Sequence, residues 1–200
     1  MADRTSISNQ ILAAVGCPDR IASPDDDSKP AREIRNIWDD TRREALRGGN
    51  WNCATIRAAV PALVLGDGDN PTADQIFPYL YAYKLPTDCL RFRDLVDDTV
   101  DPASYQVERG LLLTKWAGPA RIRYIIDVPD PSQWDGAFVA AFAQLGGFKV
   151  ADNLTGDRAR KVDCWNSWKE LSSEAKAVDA LENPPEEQVE DQWILARFGD

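Results

Sequence analysis

Neighbouring carboxylates are the residues of this sequence whose type and spacing could perform chemistry. Asp97 and Asp98 are adjacent, and in a carboxylate pair one group can act as an acid while the other acts as a base. Adjacent aspartates in a turn are more often solvated, so this pattern favours a solvated turn over a hydrolase site. The run Asp67-Gly68-Asp69-Asn70-Pro71 begins like a calcium loop, but its fifth position is proline and the later glycine and glutamate are absent. We therefore expect no catalytic residue, no bound metal and no cofactor.

The absence of histidine excludes several classes of active site. The 200 residues contain no His, so Ser-His and Cys-His nucleophile pairs, His-ligated zinc and imidazole proton transfer are all ruled out. The four cysteines are far apart and form no C-x-x-C pair, which excludes a zinc ribbon and a thioredoxin motif. Hydrophobic residues make up 44% of the chain, which is enough for a folded core.

The chain is acidic, with 33 Asp and Glu against 23 Lys and Arg and a formal net charge of −10. This balance argues against broad, non-specific binding of phosphates. The acidic excess is concentrated in the stretches 64–77, 94–101 and 184–200, and the remaining chain is close to neutral. Breaker residues lie in or beside each stretch, which favours two solvated loops and a solvated tail.

The spacing of apolar residues predicts helices at both ends of the chain and strands in the middle. Two helices are expected over 6–15 and 30–47, a third begins after its cap Asp135, and a fourth ends near 181. The buried face predicted for the fourth helix contains Val162, Trp165, Trp168, Leu171 and Ala175. Between the helix pairs, β-favouring runs predict one small antiparallel sheet, with Arg109-Gly110 as a hairpin turn and strands at 54–60, 79–85, 90–96, 105–108, 111–115 and 121–128.

These elements predict an α+β fold built on an antiparallel four-helix bundle. A small antiparallel β domain is inserted between helices 2 and 3, and an extended C-terminal arm follows. The corresponding boundaries are 1–50 for the first half of the bundle, 51–128 for the β domain, 129–183 for the second half and 184–200 for the arm.

Two segments look suited to protein contacts. Large apolar residues crowd the end of the acidic arm, which predicts docking either on the parent domain or on another protein; they are Trp193, Ile194, Leu195 and Phe198, with Arg197 among them. The second helix interleaves basic and acidic residues, which favours a solvated or subunit-contacting surface over a nucleic-acid patch; its interface candidates are Arg35, Asp39, Arg42 and Arg43.

An ordered set of segments across about residues 5–198 resembles the tail tubular protein A family, the head-to-tail adaptor proteins of short-tailed bacteriophages. No single segment is diagnostic, and the specificity comes from their order. The first segments are Trp38-Asp39, Arg42-Arg43-Glu44-Ala45-Leu46-Arg47, Asn50-Trp51-Asn52-Cys53-Ala54, Arg57-Ala58-Ala59 and Tyr81-Ala82-Tyr83-Lys84-Leu85-Pro86-Thr87-Asp88-Cys89-Leu90-Arg91. The later ones are Tyr105-Gln106-Val107-Glu108-Arg109-Gly110-Leu111-Leu112, Asp130-Pro131-Ser132-Gln133-Trp134-Asp135 and Trp193-Ile194-Leu195-Ala196-Arg197.

The resemblance implies a helical bundle with an inserted β domain, assembled as a dodecameric ring. Such a ring connects the portal protein to the tail nozzle protein and leaves a channel through which DNA passes without specific binding. We accordingly expect a structural protein of the virion tail, made in the host cytoplasm, with no enzymatic activity and no membrane contact. The arm would bind the portal or a neighbouring subunit, and acidic loops with Asp67, Asp69, Asp74, Asp97 and Asp98 would face the channel or nozzle.

Two other classes of function stay open at this point. An acidic DNA-mimic or host-interaction protein would have a continuous acidic face and would be a stable monomer or dimer. A carboxylate-based hydrolase is the less favoured alternative, because nothing in the sequence places Asp97 and Asp98 in a cleft.

Overall fold

The computed structural model describes residues 2–96 and 105–182, without the side chains of 176 and 179–182. The four predicted helices are present as α1 (Arg4–Ala14), α2 (Lys29–Arg47), α3 (Gly136–Leu154) and α4 (Arg158–Glu182). The six predicted strands are present as β1 (Thr55–Val60), β2 (Tyr81–Lys84), β3 (Cys89–Leu95), β4 (Tyr105–Glu108), β5 (Leu111–Thr114) and β6 (Ala120–Ile126). None of the helices in these two ranges is long and apolar enough to cross a membrane.

Side chains at the helix starts explain where three of the helices begin. Asp3, Ser28 and Asp135 each accept a hydrogen bond from the backbone N–H three residues further on, at the first turns of α1, α2 and α3. The predicted cap at Asp135 is thereby confirmed, with its Oδ1 2.6 Å from the amide nitrogen of Phe138.

Helix α3 lies at the centre of the helical core. It packs against α1, α2 and α4, and its buried residues extend around most of its circumference. Two glycines allow the close approach: a Cβ added to Gly146 would lie 2.7 Å from Cδ1 of Ile11, and one added to Gly147 would lie 3.0 Å from Sγ of Cys164. On the α2 side, Trp38 stacks on Trp134 and meets Phe142 edge-on, with ring centroids 5.0 Å apart.

The predicted four-helix bundle is wrong. In such a bundle the helices surround a shared core, whereas here α3 occupies the centre and α4 packs mainly on α3. Ala54 and Ile125, from the β region, join the same core. The face predicted for α4 is partly wrong: Val162 is 53% exposed, because the stripe that faces α3 contains Cys164, Trp168, Leu171 and Ala175. Trp165 lies at the edge of this stripe, 38% exposed, with its ring 5.0 Å from that of Phe148 in α3.

The strands form two antiparallel sheets instead of the single predicted sheet. Sheet A has the order β1-β6-β3 and sheet B has the order β2-β5-β4. Each sheet has an apolar face, and the two sheets bury these faces against each other. A single flat sheet would leave its apolar face exposed to water. The predicted hairpin turn is confirmed between β4 and β5, where Arg109 and Gly110 both have positive φ angles.

The two sheets are the middle layers of a stack. Ile122 and Tyr124 of sheet A pack with Tyr83 and Leu112 of sheet B. The opposite face of sheet B, with Ala82 and Leu113, is covered by residues 61–80, which we call the covering loop, through its buried residue Ile76. The opposite face of sheet A packs into the helical core at its Ile125 end. Away from that end Arg57 and Arg121 are exposed, whereas Arg93, Asp94 and Arg123 are partly buried.

The close contact between α1 and α3 generates a stability prediction. We expect Gly146→Ala to lower the free energy of unfolding by about 1 to 2 kcal/mol, because the crowding against fully buried Ile11 outweighs the gain in helix propensity. Gly136→Ala in the same helix is the control, since a Cβ there has no atom within 4 Å, and we expect that variant to be at least as stable as the wild type. Urea unfolding measures both; equal stability of the two variants would contradict the packing argument.

Candidate functional site

The solvent-facing side of sheet A carries a cluster of arginines, which we call the arginine face. It consists of Arg57 from β1, Arg91 and Arg93 from β3, and Arg121 and Arg123 from β6. Side chains alternate between the faces of a strand, so Arg121 and Arg123 point away from sheet B while Ile122 and Tyr124 point towards it. This part of an acidic protein is therefore locally basic.

One carboxylate serves two of these guanidinium groups. Asp94 accepts hydrogen bonds from Nε and Nη2 of Arg123 at 2.6 and 2.9 Å, and its Oδ2 lies 3.6 Å from Nε of Arg93. Asp94 is the single acidic residue within the three strands of sheet A. The arginine face consequently has more positive than negative groups.

Two of the arginines are exposed at the open end of the sheet. Arg57 lies directly opposite Arg123 in the register of β1 and β6, an arrangement of like charges that destabilises a sheet. Arg121 lies opposite the exposed Ala59. Within residues 2–96 and 105–182, the side chain of neither Arg57 nor Arg121 forms a hydrogen bond or an ion pair. These two groups are available to an acidic partner.

Arg91 has a structural position at the other end of the face. Its Nη2 donates to the backbone oxygen of Gly49 at 2.7 Å and to the side chain of Asn50, which ties β3 to the end of α2. Burial lowers the pKa of Arg91, and the positive charges of Arg93 and Arg47 lower it further. Arg47 in turn donates to the backbone oxygen of Leu90 at 2.7 Å.

The interface candidates of α2 are largely occupied within the chain. Arg42 is only 5% exposed, and it donates to both carboxylate oxygens of Asp127 at 2.6 and 2.9 Å and to Asp39 at 2.5 Å. Arg43 donates to Asp127 at 3.3 Å, and Arg35 donates to the backbone oxygen of Pro24 at 2.8 Å. The exposed parts of Asp39 and Arg43 could still meet a neighbour, so the predicted subunit interface stays a prediction.

The covering loop combines acidic and apolar residues on its outer surface. Asp67, Asp69 and Asp74 are exposed, and the loop contains no Lys or Arg. Phe77 is 84% exposed and Leu80 is 61% exposed. The loop is held in shape by its own hydrogen bonds, including Gly66 N–H to Pro71 O at 3.0 Å, and by a capping box of Thr72 and Gln75.

The remaining predicted site residues lie outside the described part of the chain: Asp97, Asp98, Trp193, Ile194, Leu195, Arg197 and Phe198. Their proposed roles stay predictions. Among the residues that the structure describes, no three Cys, Asp or Glu side chains are grouped so that they could hold a metal ion.

The contact of Arg42 with Asp127 predicts a pH-dependent contribution to stability. The hydrogen bond from Arg42 holds the pKa of Asp127 below its usual value. We expect Asp127→Asn to lower the free energy of unfolding at pH 7 by about 2 kcal/mol, because Arg42 loses its main counter-charge. A carboxylate whose pKa is lowered by folding stabilises the folded state at pH values above its unfolded-state pKa of about 3.9. This stabilisation is lost as the pH falls through the folded-state pKa.

The difference between wild type and Asp127→Asn should thus be constant near neutral pH and shrink below about pH 4. Denaturant unfolding at a series of pH values measures it. Asp40→Asn is the control, since Asp40 is exposed and its Oδ1 lies 3.9 Å from Nη1 of Arg43. We expect it to change the free energy of unfolding by no more than about 0.5 kcal/mol. A difference that is independent of pH would show that the Asp127 charge does not contribute.

The sequence matches no model of a known protein family and no curated protein sequence. The resemblance to the tail tubular protein A family therefore stays a prediction that rests on the ordered residues quoted above.

Proposed function

We propose that this protein is a structural subunit of a bacteriophage virion, a head-to-tail adaptor. In this proposal a ring of subunits, dodecameric as in the family it resembles, joins the portal protein to the tail nozzle protein and leaves a channel for DNA. In this proposal the protein connects other virion proteins and performs no catalysis. The ordered segments from Trp38 to Arg197 support the assignment to this class of protein.

The observation that carries the proposal is the presence of exposed apolar side chains on two separate parts of the molecule. Phe77 and Leu80 lie on the covering loop beside sheet B, whereas Val162 and Trp165, one turn apart, are exposed on α4, which packs on α3. A large aromatic side chain with most of its area in water is unfavourable unless a partner covers it. Two separate apolar surfaces suit a subunit that contacts more than one neighbour.

The net acidity of the chain suits a conduit for DNA. Acidic stretches that border the channel would repel phosphates and allow DNA to slide without specific binding. The C-terminal arm would provide a second kind of contact, with Trp193, Ile194, Leu195 and Phe198 as apolar anchors and Arg197 as a polar one, docked on the portal or on a neighbouring subunit.

Electron microscopy of the purified chain, alone and mixed with portal rings from the same phage, tests the proposed function. We expect rings of this chain seated on one end of the portal. A chain that remains unattached to the portal at micromolar concentrations would contradict the adaptor role.

The arm generates a separate prediction. We expect Trp193→Ala combined with Phe198→Ala to weaken attachment to the portal by about tenfold or more, since large aromatic anchors dominate such contacts. The matched control is Gln188→Ala combined with Gln192→Ala in the same arm, which should leave attachment near the wild-type level. Native mass spectrometry of the mixtures measures both, and equal attachment of the two variants would remove the arm from the interface.

A further inference from the structure

We propose that the arginine face of one copy of this chain binds the covering loop of the next copy, in a head-to-tail contact between subunits. The inference deepens the proposed ring and rests on it, since it names the two surfaces that meet. It assigns Asp67, Asp69 and Asp74 to the contact between subunits instead of the channel.

The arginine face lacks counter-charges where it is most open. The side chains of Arg57 and Arg121 are exposed and form no ion pair or hydrogen bond with other described residues. Arg57 lies opposite Arg123, and the single negative charge of Asp94 is shared between Arg123 and Arg93. Like charges at opposed positions of a ladder cost stability. An acidic partner would offset this cost and would turn an unfavourable arrangement into a binding surface.

The covering loop has the complementary composition. Its three aspartates have no basic residue within the loop, and guanidinium groups bind carboxylates through two parallel hydrogen bonds. The exposed ring of Phe77 can lie against a guanidinium plane, and Leu80 adds apolar area near it in the sequence. The loop therefore offers charged and apolar groups together, as protein interfaces do.

The layer order places these surfaces on opposite sides of the two sheets. The arginine face is the side of sheet A that points away from sheet B, because Ile122 and Tyr124 occupy the side between the sheets. The covering loop lies on the side of sheet B that points away from sheet A, because it packs on Ala82 and Leu113. One copy cannot join its own loop to its own arginine face across the stack.

Identical copies can nevertheless join the loop of one to the face of the next. A contact between two different surfaces is heterologous, and repetition of such a contact produces a ring when the rotation closes. This geometry is the one that a ring subunit requires, whereas a two-fold dimer would use a single self-complementary surface.

A second copy is favoured over nucleic acid as the occupant of the arginine face. A polyanion would also bind Arg57 and Arg121, but non-specific binding of nucleic acid draws on many phosphate contacts, and the other three arginines of the face already bind groups of the same chain. The covering loop, in contrast, carries three carboxylates on a compact surface whose shape its own hydrogen bonds maintain.

Charge reversal on each surface tests the inference. Arg57→Glu with Arg121→Glu makes the arginine face acidic, and Asp67→Lys with Asp69→Lys makes the covering loop basic. Each double variant alone should self-associate about tenfold more weakly than the wild type at low salt, because like charges then meet across the contact. An equimolar mixture should recover association, since each reversed surface then has an opposite partner on the other variant.

Sedimentation velocity over a range of concentrations measures the association. Arg20→Glu with Arg158→Glu is the matched control, because it makes the same change in net charge on exposed arginines of the helical half and should associate like the wild type. Recovery in the mixture also shows that both variants fold.

Several outcomes would overturn the inference: a wild-type chain that stays monomeric throughout, association unaffected by either reversal, or a mixture that fails to recover.

If the arginine variant instead loses binding of a duplex DNA probe while association is unchanged, the face binds nucleic acid. Rings that form on the portal equally well with all variants would leave the adaptor role standing and refute only this contact. Charge-dependent association of the chain without attachment to the portal would support this contact and refute the adaptor role.

Discussion

The structure depends on strand β6, because both halves of the molecule pack against it. Ile122 and Tyr124 point from β6 into the apolar layer between the two sheets, while Ile125 points from the opposite face into the helical core. Directly after the strand, Asp127 binds Arg42 and so ties the end of β6 to α2. Because side chains alternate between the two faces of a strand, residues of β6 contact both the layer between the sheets and the helical core, and β6 also carries two arginines of the arginine face.

Local neighbours, and not the total charge, decide what each surface of this protein can bind. Charges on a protein surface are screened over about 10 Å at 0.1 M salt, so a net charge of −10 does not prevent a basic face. Sheet A brings five arginines together around one aspartate, and the three aspartates of the covering loop lie on the far side of the stack. The acidic composition disfavours phosphate binding by the chain as a whole, whereas the surface of sheet A is locally basic.

The arrangement of the helices shows where the periodicity of a sequence ceases to be informative. Adjacent glycines in an apolar helix, here Gly146 and Gly147, are compatible with the close approach of neighbouring helices. They did not show that α3 is surrounded, because a helix that is apolar on nearly all sides has no single stripe that selects one partner. With α3 at the centre, α4 needs to bury only the narrow stripe through Cys164, Trp168 and Leu171, and Val162 is left exposed.

The sequence by itself determined the helices, the six strands, the cap at Asp135 and the turn at Arg109-Gly110, because these depend on interactions within a few residues. Only the tertiary structure decided that the strands divide into two sheets, that Arg42 pairs with Asp127 across 85 residues, and that Arg57 lies beside Arg123. Spacing along the chain carries no signal for these contacts. They follow from which apolar faces bury each other, and the packing of sheet A between sheet B and the helices then determines which charged side chains face solvent together.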